Sequence, residues 1–135
     1  MHSKLAVLAA AVAVTIAVPV FAHHSFDAEF DRSKPISLKG TVTKLEWMNP
    51  HVWVYLNVPD ASGKQVKWQC EYGAPNSLKR SGWNRESIKE GDQITIDGTL
   101  SKDGSNTCNA TSSVLADGRR VLGGSSGGNG DTKAK

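Results

Sequence analysis

The 135-residue sequence has too few cysteines and histidines to build the common metal-binding motifs. It contains two cysteines and four histidines, and no two of them stand at CxxC or HxxxH spacing. Zinc sites and redox-active cysteine pairs that depend on those spacings are therefore excluded. Nucleophilic catalysis is not expected either, because nothing in the spacing of Ser25 or Ser77 pairs either serine with His51, the one histidine inside the expected fold.

A strong charge of one sign is also missing. The formal net charge is +3 at pH 7, and acidic and basic residues are mixed along the chain. Binding to a polyanion depends on clustered Lys and Arg side chains. This composition therefore predicts that nucleic acid is not a partner.

Long apolar runs are missing except at the start of the chain. Residues 5–21 are apolar apart from Thr15 and Pro19, and Lys4 precedes them. The run is marginally short for a membrane span, and Pro19 would break a helix near its end. Because Val20-Phe21-Ala22 fits the cleavage rule, residues 1–22 are predicted to be a cleaved signal peptide, which leaves no stable membrane anchor. A retained N-terminal anchor is the alternative.

The two cysteines, Cys70 and Cys108, remain in the exported part of the chain. An even number of cysteines in an oxidising compartment favours a disulfide bond. Closing a loop of about 38 residues would stabilise the fold by roughly 4 kcal/mol in the chain-entropy account. Two separate buried thiols are the alternative, since sequence alone does not determine connectivity.

Alternation of apolar and polar residues predicts five β-strands. The first covers residues 36–42, with a bend or bulge suggested by Gly40, and continues to Trp47 one residue out of step. The other strands are expected at 51–58, 64–72, 93–100 and 107–115, with one or two helical turns within 74–82.

Each expected strand has one face toward the core. On the second strand the core face consists of Val52, Val54, Leu56 and Val58, and the opposite face consists of His51, Trp53, Tyr55 and Asn57. The third strand is expected to turn Cys70 and Tyr72 inward and Glu71 outward. The fifth is expected to place Cys108, Ala110, Ser112 and Val114 on one face.

The order of these elements predicts an all-β fold. Residues 35–122 are expected to form a small five-stranded OB-like Greek-key barrel, with the helical connection between strands three and four. Residues 23–34 form a polar segment before it, and residues 123–135 form a flexible Gly/Ser-rich tail. Strands three and five are neighbours in this topology, which brings Cys70 and Cys108 together. A small open β-sandwich is the alternative.

Several short stretches resemble a family of small exported bacterial proteins that is defined only as a domain of unknown function. They include Ala22–Phe26 (AHHSF), Trp47–Trp53 (with the NPHxW element) and Lys102–Asn106 (KDGSN). The resemblance covers nearly the whole exported chain, and NPHxW is its most specific part. It implies a bacterial periplasmic location and no established activity.

The histidines suggest a metal site. Cleavage after Ala22 would make His23 the N-terminal residue, so that its α-amine and imidazole could chelate one ion and His51 could complete a three-nitrogen set. His24 is a competitor or a second anchor. Such donors suit copper(II) best among the divalent ions, and a copper-dependent oxidative activity is conceivable only if this set forms. Solvated histidines without metal are the alternative.

The aromatic residues of the same stretch suggest a different function. Trp47, Asn49, Trp53 and Tyr55 are candidate ligand-binding residues, since OB barrels bind ligands across strands two and three. The sequence thus predicts a non-catalytic periplasmic binding module that holds copper through His23 and His51. Its alternative is a metal-free module whose aromatic face binds a small molecule, a sugar or a periplasmic partner protein. The aromatics are otherwise core residues.

Overall fold

The computed structural model describes residues 26–124, and these residues form a β-rich domain with two short helices. The elements in chain order are α1 (Phe26–Glu29), β1 (Phe30–Glu46), β2 (Trp53–Pro59), β3 (Gln65–Glu71), α2 (Pro75–Arg80), β4 (Gln93–Ser101), β5 (Thr107–Leu115) and β6 (Arg120–Leu122). The predicted signal peptide and most of the predicted tail lie outside the described residues. Among the described residues, no helix is long and apolar enough to cross a membrane.

Five of the six strands close into a ring. The strand order is β3-β2-β1-β4-β5-β6, and an additional pairing joins β3 to β5. The β3–β5 pair is parallel, whereas the other pairs are antiparallel. The prediction of an all-β fold is confirmed at this level, with the helical connection between β3 and β4 where it was expected.

The cysteines are joined where β3 meets β5. Cys70 is the register partner of Cys108, both side chains are fully buried, and a disulfide bond links them. The strand pattern alone predicted this neighbourhood. A covalent link of this kind is typical of extracellular proteins.

Apolar alternation correctly predicts most of the core residues just before and within β2; Val58, expected among them, is only partly buried. Val52, Val54 and Leu56 are almost completely buried, because β-branched and aliphatic side chains pack well on a pleated face. They belong to one core cluster that also contains Ile94 and Ile96 of β4.

The bulge of β1 lies a few residues beyond the predicted position. The register with β2 shifts between Val42 and Lys44, which explains why the apolar pattern changes step there. Gly40 has a different reason to be glycine. A Cβ atom at this position would overlap the carbonyl oxygen of Asn57 on the neighbouring strand.

The fifth strand changes face halfway, which the sequence analysis did not predict. The register between β4 and β5 shifts at Asp97/Gly98. Cys108 and Ala110 therefore face inward, but Ser113 and Leu115 are the buried residues of the second half. The expectation for Ser112 and Val114 is wrong, because both are only half-buried.

Two elements extend the fold beyond the prediction. The first strand begins at Phe30, inside the stretch expected to be a polar segment, and Phe30 is 4% exposed because it packs beneath α1 and opposite Ser101. At the other end, β6 adds three residues to the second half of β5. Both stretches contain charged residues, so the pattern of apolar and polar residues did not predict that they form strands.

Candidate functional site

His51 lies just before β2, where two acceptors hold its imidazole ring. Its Nδ1 atom lies 3.0 Å from the carbonyl oxygen of Tyr72 and 3.1 Å from Oε1 of Glu71. Two backbone hydrogen bonds also join Val52, the residue after His51, to the residues that follow β3. The amide of Val52 donates to the carbonyl of Gly73, and the amide of Tyr72 donates to the carbonyl of Val52.

These contacts determine which ring nitrogen of His51 carries hydrogen. A carbonyl oxygen can only accept, so Nδ1–H is the donor and the neutral ring keeps its lone pair on Nε2. The His51 side chain is 37% exposed, whereas the Glu71 side chain is 10% exposed. A histidine oriented by a carboxylate through one nitrogen can bind a metal ion or accept a proton through the other.

Glu71 is the residue of this site that the sequence analysis missed. It was expected to face solvent, but only 7% of it is exposed. It lies between Trp53 on β2 and Asn109 on β5 in the strand register. One feature of the sequence could have indicated this burial. Glu71 follows Cys70, so the disulfide that joins β3 to β5 also brings Glu71 against the neighbouring strand.

A cleft of about 680 Å³ lies on the outer face of the sheet, the same face that carries Glu71. We call it the Trp53 cleft. Its floor is made by Trp53 of β2 and Gln69 of β3, and one wall comes from the β4–β5 hairpin, residues 101–107. Ala28–Phe30, at the end of α1 and the start of β1, also line the cleft and lie beside this hairpin. Parts of the NPHxW and KDGSN stretches therefore meet in one place.

The polar side chains of the hairpin wall of the Trp53 cleft are held by hydrogen bonds to one another and to Gln69. The Gln69 amide Nε2 donates to Thr107 Oγ1 at 3.1 Å, and Ser105 Oγ donates to the same oxygen at 2.9 Å. Ser101 Oγ lies 3.1 Å from Ser105 Oγ and donates to the carboxylate of Asp103. Because each group holds its neighbour, the wall is preorganised.

The carboxyl group of Asp103 is strongly acidic. The hydroxyl of Ser101, followed by the side chain and backbone amide of Ser105, lowers the pKa of Asp103 to about 2. These donors stabilise the charged form. The carboxylate is therefore ionised throughout the neutral and mildly acidic range.

The beginning of the described chain is attached beside this cleft. The rings of Phe26 and Phe30 are stacked with centroids 5.4 Å apart. The backbone amide of Lys102 donates to the carbonyl of Glu29 at 2.8 Å, and the Lys102 ammonium donates to the carbonyl of Asp27. Helix α1 is thus fixed to the β4–β5 hairpin.

The four residues predicted to bind a ligand do not line one cleft. Trp53 lines the Trp53 cleft, Trp47 and Asn49 line a second cleft of about 600 Å³, and Tyr55 lines a third. Trp47 is 8% exposed and belongs to the core cluster. The hydroxyl of Tyr55 donates to Glu46 at 3.0 Å.

The predicted metal ligands are only partly described. His23 and His24 lie outside the described residues. Among residues 26–124, no group of three or more His, Cys, Asp or Glu side chains could hold a metal ion. This part of the chain contributes His51, with Glu71 behind it, as a single oriented nitrogen donor.

A solved structure with a similar fold is the mitochondrial single-stranded DNA-binding protein Rim1 of S. cerevisiae. It is 9% identical, the match covers 64% of this chain and 94% of Rim1, and the TM-score is 0.48. The prediction that nucleic acid is not a partner is contradicted by this match. Net charge is an average over the surface and does not describe one groove. The similarity is too weak to show that this chain binds nucleic acid.

No curated protein matches this amino-acid sequence. The model of DUF6152, a family of unknown function, matches residues 10–110. This match spans most of the chain, including the His51 region and the hairpin wall of the Trp53 cleft. The chain therefore belongs to the DUF6152 family.

Proposed function

We propose that this protein is a non-catalytic binding module of the bacterial periplasm, and that it binds copper(II) through His51 and the N-terminal histidine left by signal-peptide cleavage. In this proposal the five-stranded ring is an OB-like Greek-key barrel. The observation that carries the proposal is the contact of His51 Nδ1 with Glu71 and with the carbonyl of Tyr72. It leaves Nε2 as the donor atom.

The oriented imidazole suits copper(II) for two reasons. Imidazole and amine nitrogens bind copper(II) more tightly than the other divalent first-row ions. A carboxylate on the second ring nitrogen makes the ligand more basic and fixes its direction, and loss of such a partner typically costs 10–100-fold in affinity, as an order of magnitude. Glu71 is nearly buried, so its charge is weakly screened by water.

The position of α1 supports the proposal that His23 reaches the site of His51. His23 stands three residues before Phe26, and three extended residues span at most about 11 Å. Ala28–Phe30 line the same cleft as Trp53, and Trp53 is the register partner of Glu71. In the proposed site the α-amine and imidazole of His23 complete the set, and His24 is the second anchor.

Copper titration of protein that begins at His23 tests this proposal. We expect His51→Ala to weaken binding, and we expect one extra residue before His23 to weaken it as well, since the α-amine then moves away from the imidazole. Lys67→Ala is the matched control, because Lys67 is an exposed residue on the same sheet face. Unchanged affinity in both the His51 variant and the extended protein would refute the proposal.

A second candidate function is the binding of a small ligand without metal. The specific observation in its favour is the Trp53 cleft, which combines one half-buried indole with a preorganised polar wall. Ligand sites commonly have this composition, with volumes of roughly 300–1,000 Å³.

A further inference from the structure

The Trp53 cleft offers hydrogen-bonding groups of both kinds. Thr107 Oγ1 accepts from Gln69 and from Ser105, so its own hydrogen remains to be donated. Gln69 uses its amide nitrogen in this contact, and within residues 26–124 no donor reaches its side-chain oxygen. The ionised Asp103 supplies a further acceptor. A ligand group that both donates and accepts matches this arrangement best, and a hydroxyl group does so.

The charges of the cleft disfavour an anionic ligand. The carboxylates of Glu29 and Asp103 line it, together with Lys102. The Lys102 ammonium is already engaged by the carbonyl of Asp27. The lining carries two carboxylates and one ammonium, so an anionic ligand would meet more negative than positive charge.

We propose that the Trp53 cleft binds a neutral carbohydrate, with the flat face of a β-linked pyranose stacked on Trp53 and its hydroxyl groups bonded to Gln69, Asp103 and Thr107. This inference rests on the second candidate function and names its ligand class. It does not depend on copper. The indole gives the apolar carbon–hydrogen face of the sugar a large rigid contact surface, and the hydrogen-bonded wall needs little further ordering on binding.

Nuclear magnetic resonance of the purified protein in the presence of EDTA tests this inference. The chain contains four tryptophans, and each indole N–H gives its own signal. Titration with cellotriose is expected to shift the Trp53 signal and to leave the signals of the buried Trp47 and Trp83 in place. Absence of a Trp53 shift at millimolar sugar would overturn the proposal.

Variants separate sugar binding from effects on folding. Trp53→Leu is expected to weaken cellotriose binding about fivefold, because an aromatic contact is worth around 1 kcal/mol, whereas Trp53→Phe retains most of the affinity. Thr107→Val removes one hydroxyl with little change of shape and is expected to weaken binding about threefold to tenfold. Trp68→Phe is the control, since Trp68 lines a different cleft.

Two further outcomes would contradict the inference. One is unchanged sugar affinity in both Trp53→Leu and Thr107→Val protein with native circular dichroism. The other is a Trp53 shift produced by an oligothymidylate and not by cellotriose, which would identify the cleft as a surface for single-stranded nucleic acid. Because copper is absent throughout, neither outcome bears on the metal site of His51.

Discussion

Replacement of Glu71 by Gln should weaken copper binding while leaving His51 in place. The substitution keeps the shape of the side chain and removes the charge that lies 3.1 Å from His51 Nδ1. The carbonyl of Tyr72 still accepts from the same nitrogen, so the ring keeps its hydrogen on Nδ1. The contribution of the carboxylate to ligand strength is lost.

The expected size of this effect follows from the burial of Glu71. Its side chain is 10% exposed, so solvent screens the charge only weakly. Loss of a carboxylate partner behind a ligating histidine typically costs 10–100-fold in metal affinity, or about 1.4–2.7 kcal/mol. We therefore expect Glu71→Gln to raise the dissociation constant for copper(II) by roughly 10–100-fold.

Competition with a chelator of known copper affinity measures this change. Glu46→Gln is the matched control, because it removes a carboxylate that binds Lys44 and Tyr55 and does not touch His51. The reasoning is refuted if Glu71→Gln binds copper as tightly as the unmodified protein does. It is equally refuted if Glu46→Gln weakens binding to the same extent.

Three further predictions concern the fold. Replacing Cys70 and Cys108 with Ala should lower the free energy of unfolding by roughly 4 kcal/mol, as measured by urea denaturation, and a loss below about 1 kcal/mol would contradict the loop-closure account. Gly40→Ala should destabilise the protein by about 1–3 kcal/mol in the same assay, since the Cβ of the alanine would overlap the carbonyl of Asn57. Unchanged stability would show that β1 and β2 can separate freely. Burial raises the pKa of Tyr72 well above its usual value of 10.0. The free energy of unfolding should therefore fall as pH rises above 10.0, because only the unfolded chain then ionises this phenol. If the tyrosinate absorbance accounts for both tyrosines before the circular dichroism changes, this prediction is contradicted.

The fold was largely predictable because its signals are local. Alternation on β2 separates Val54 and Leu56 from Trp53 and Tyr55, and period two requires no knowledge of the partner strands. The change of step in the apolar–polar alternation after Val42 likewise indicates the bulge of β1. Given the strand order, Cys70 and Cys108 follow as neighbours.

The rest depends on partners that the sequence pattern does not show. Glu71 is buried because Trp53 and Asn109 flank it on neighbouring strands, and an outward position on one strand says nothing about such neighbours. The change of face in β5 results from its register with Gly98. The Trp53 cleft needs α1, which is only four residues long and has no periodicity of its own.

The candidate site was partly predictable from residue chemistry. The type and position of His51 indicated a nitrogen donor, but its direction depends on Glu71 and on a backbone carbonyl. Trp47 and Tyr55 were grouped with Trp53 because they are close in sequence and aromatic. Trp47 lines a separate cleft, since the chain leaves the sheet between Trp47 and Trp53, and Tyr55 lines a third cleft further along β2.

Electron paramagnetic resonance of the copper(II) complex tests the central claim most directly. The measurement uses protein that begins at His23, with one equivalent of copper, and compares it with the His51→Ala variant. We expect nitrogen hyperfine structure from three donors in the unmodified protein and from two in the variant. Identical spectra would show that His51 does not bind the metal and would contradict the proposed function.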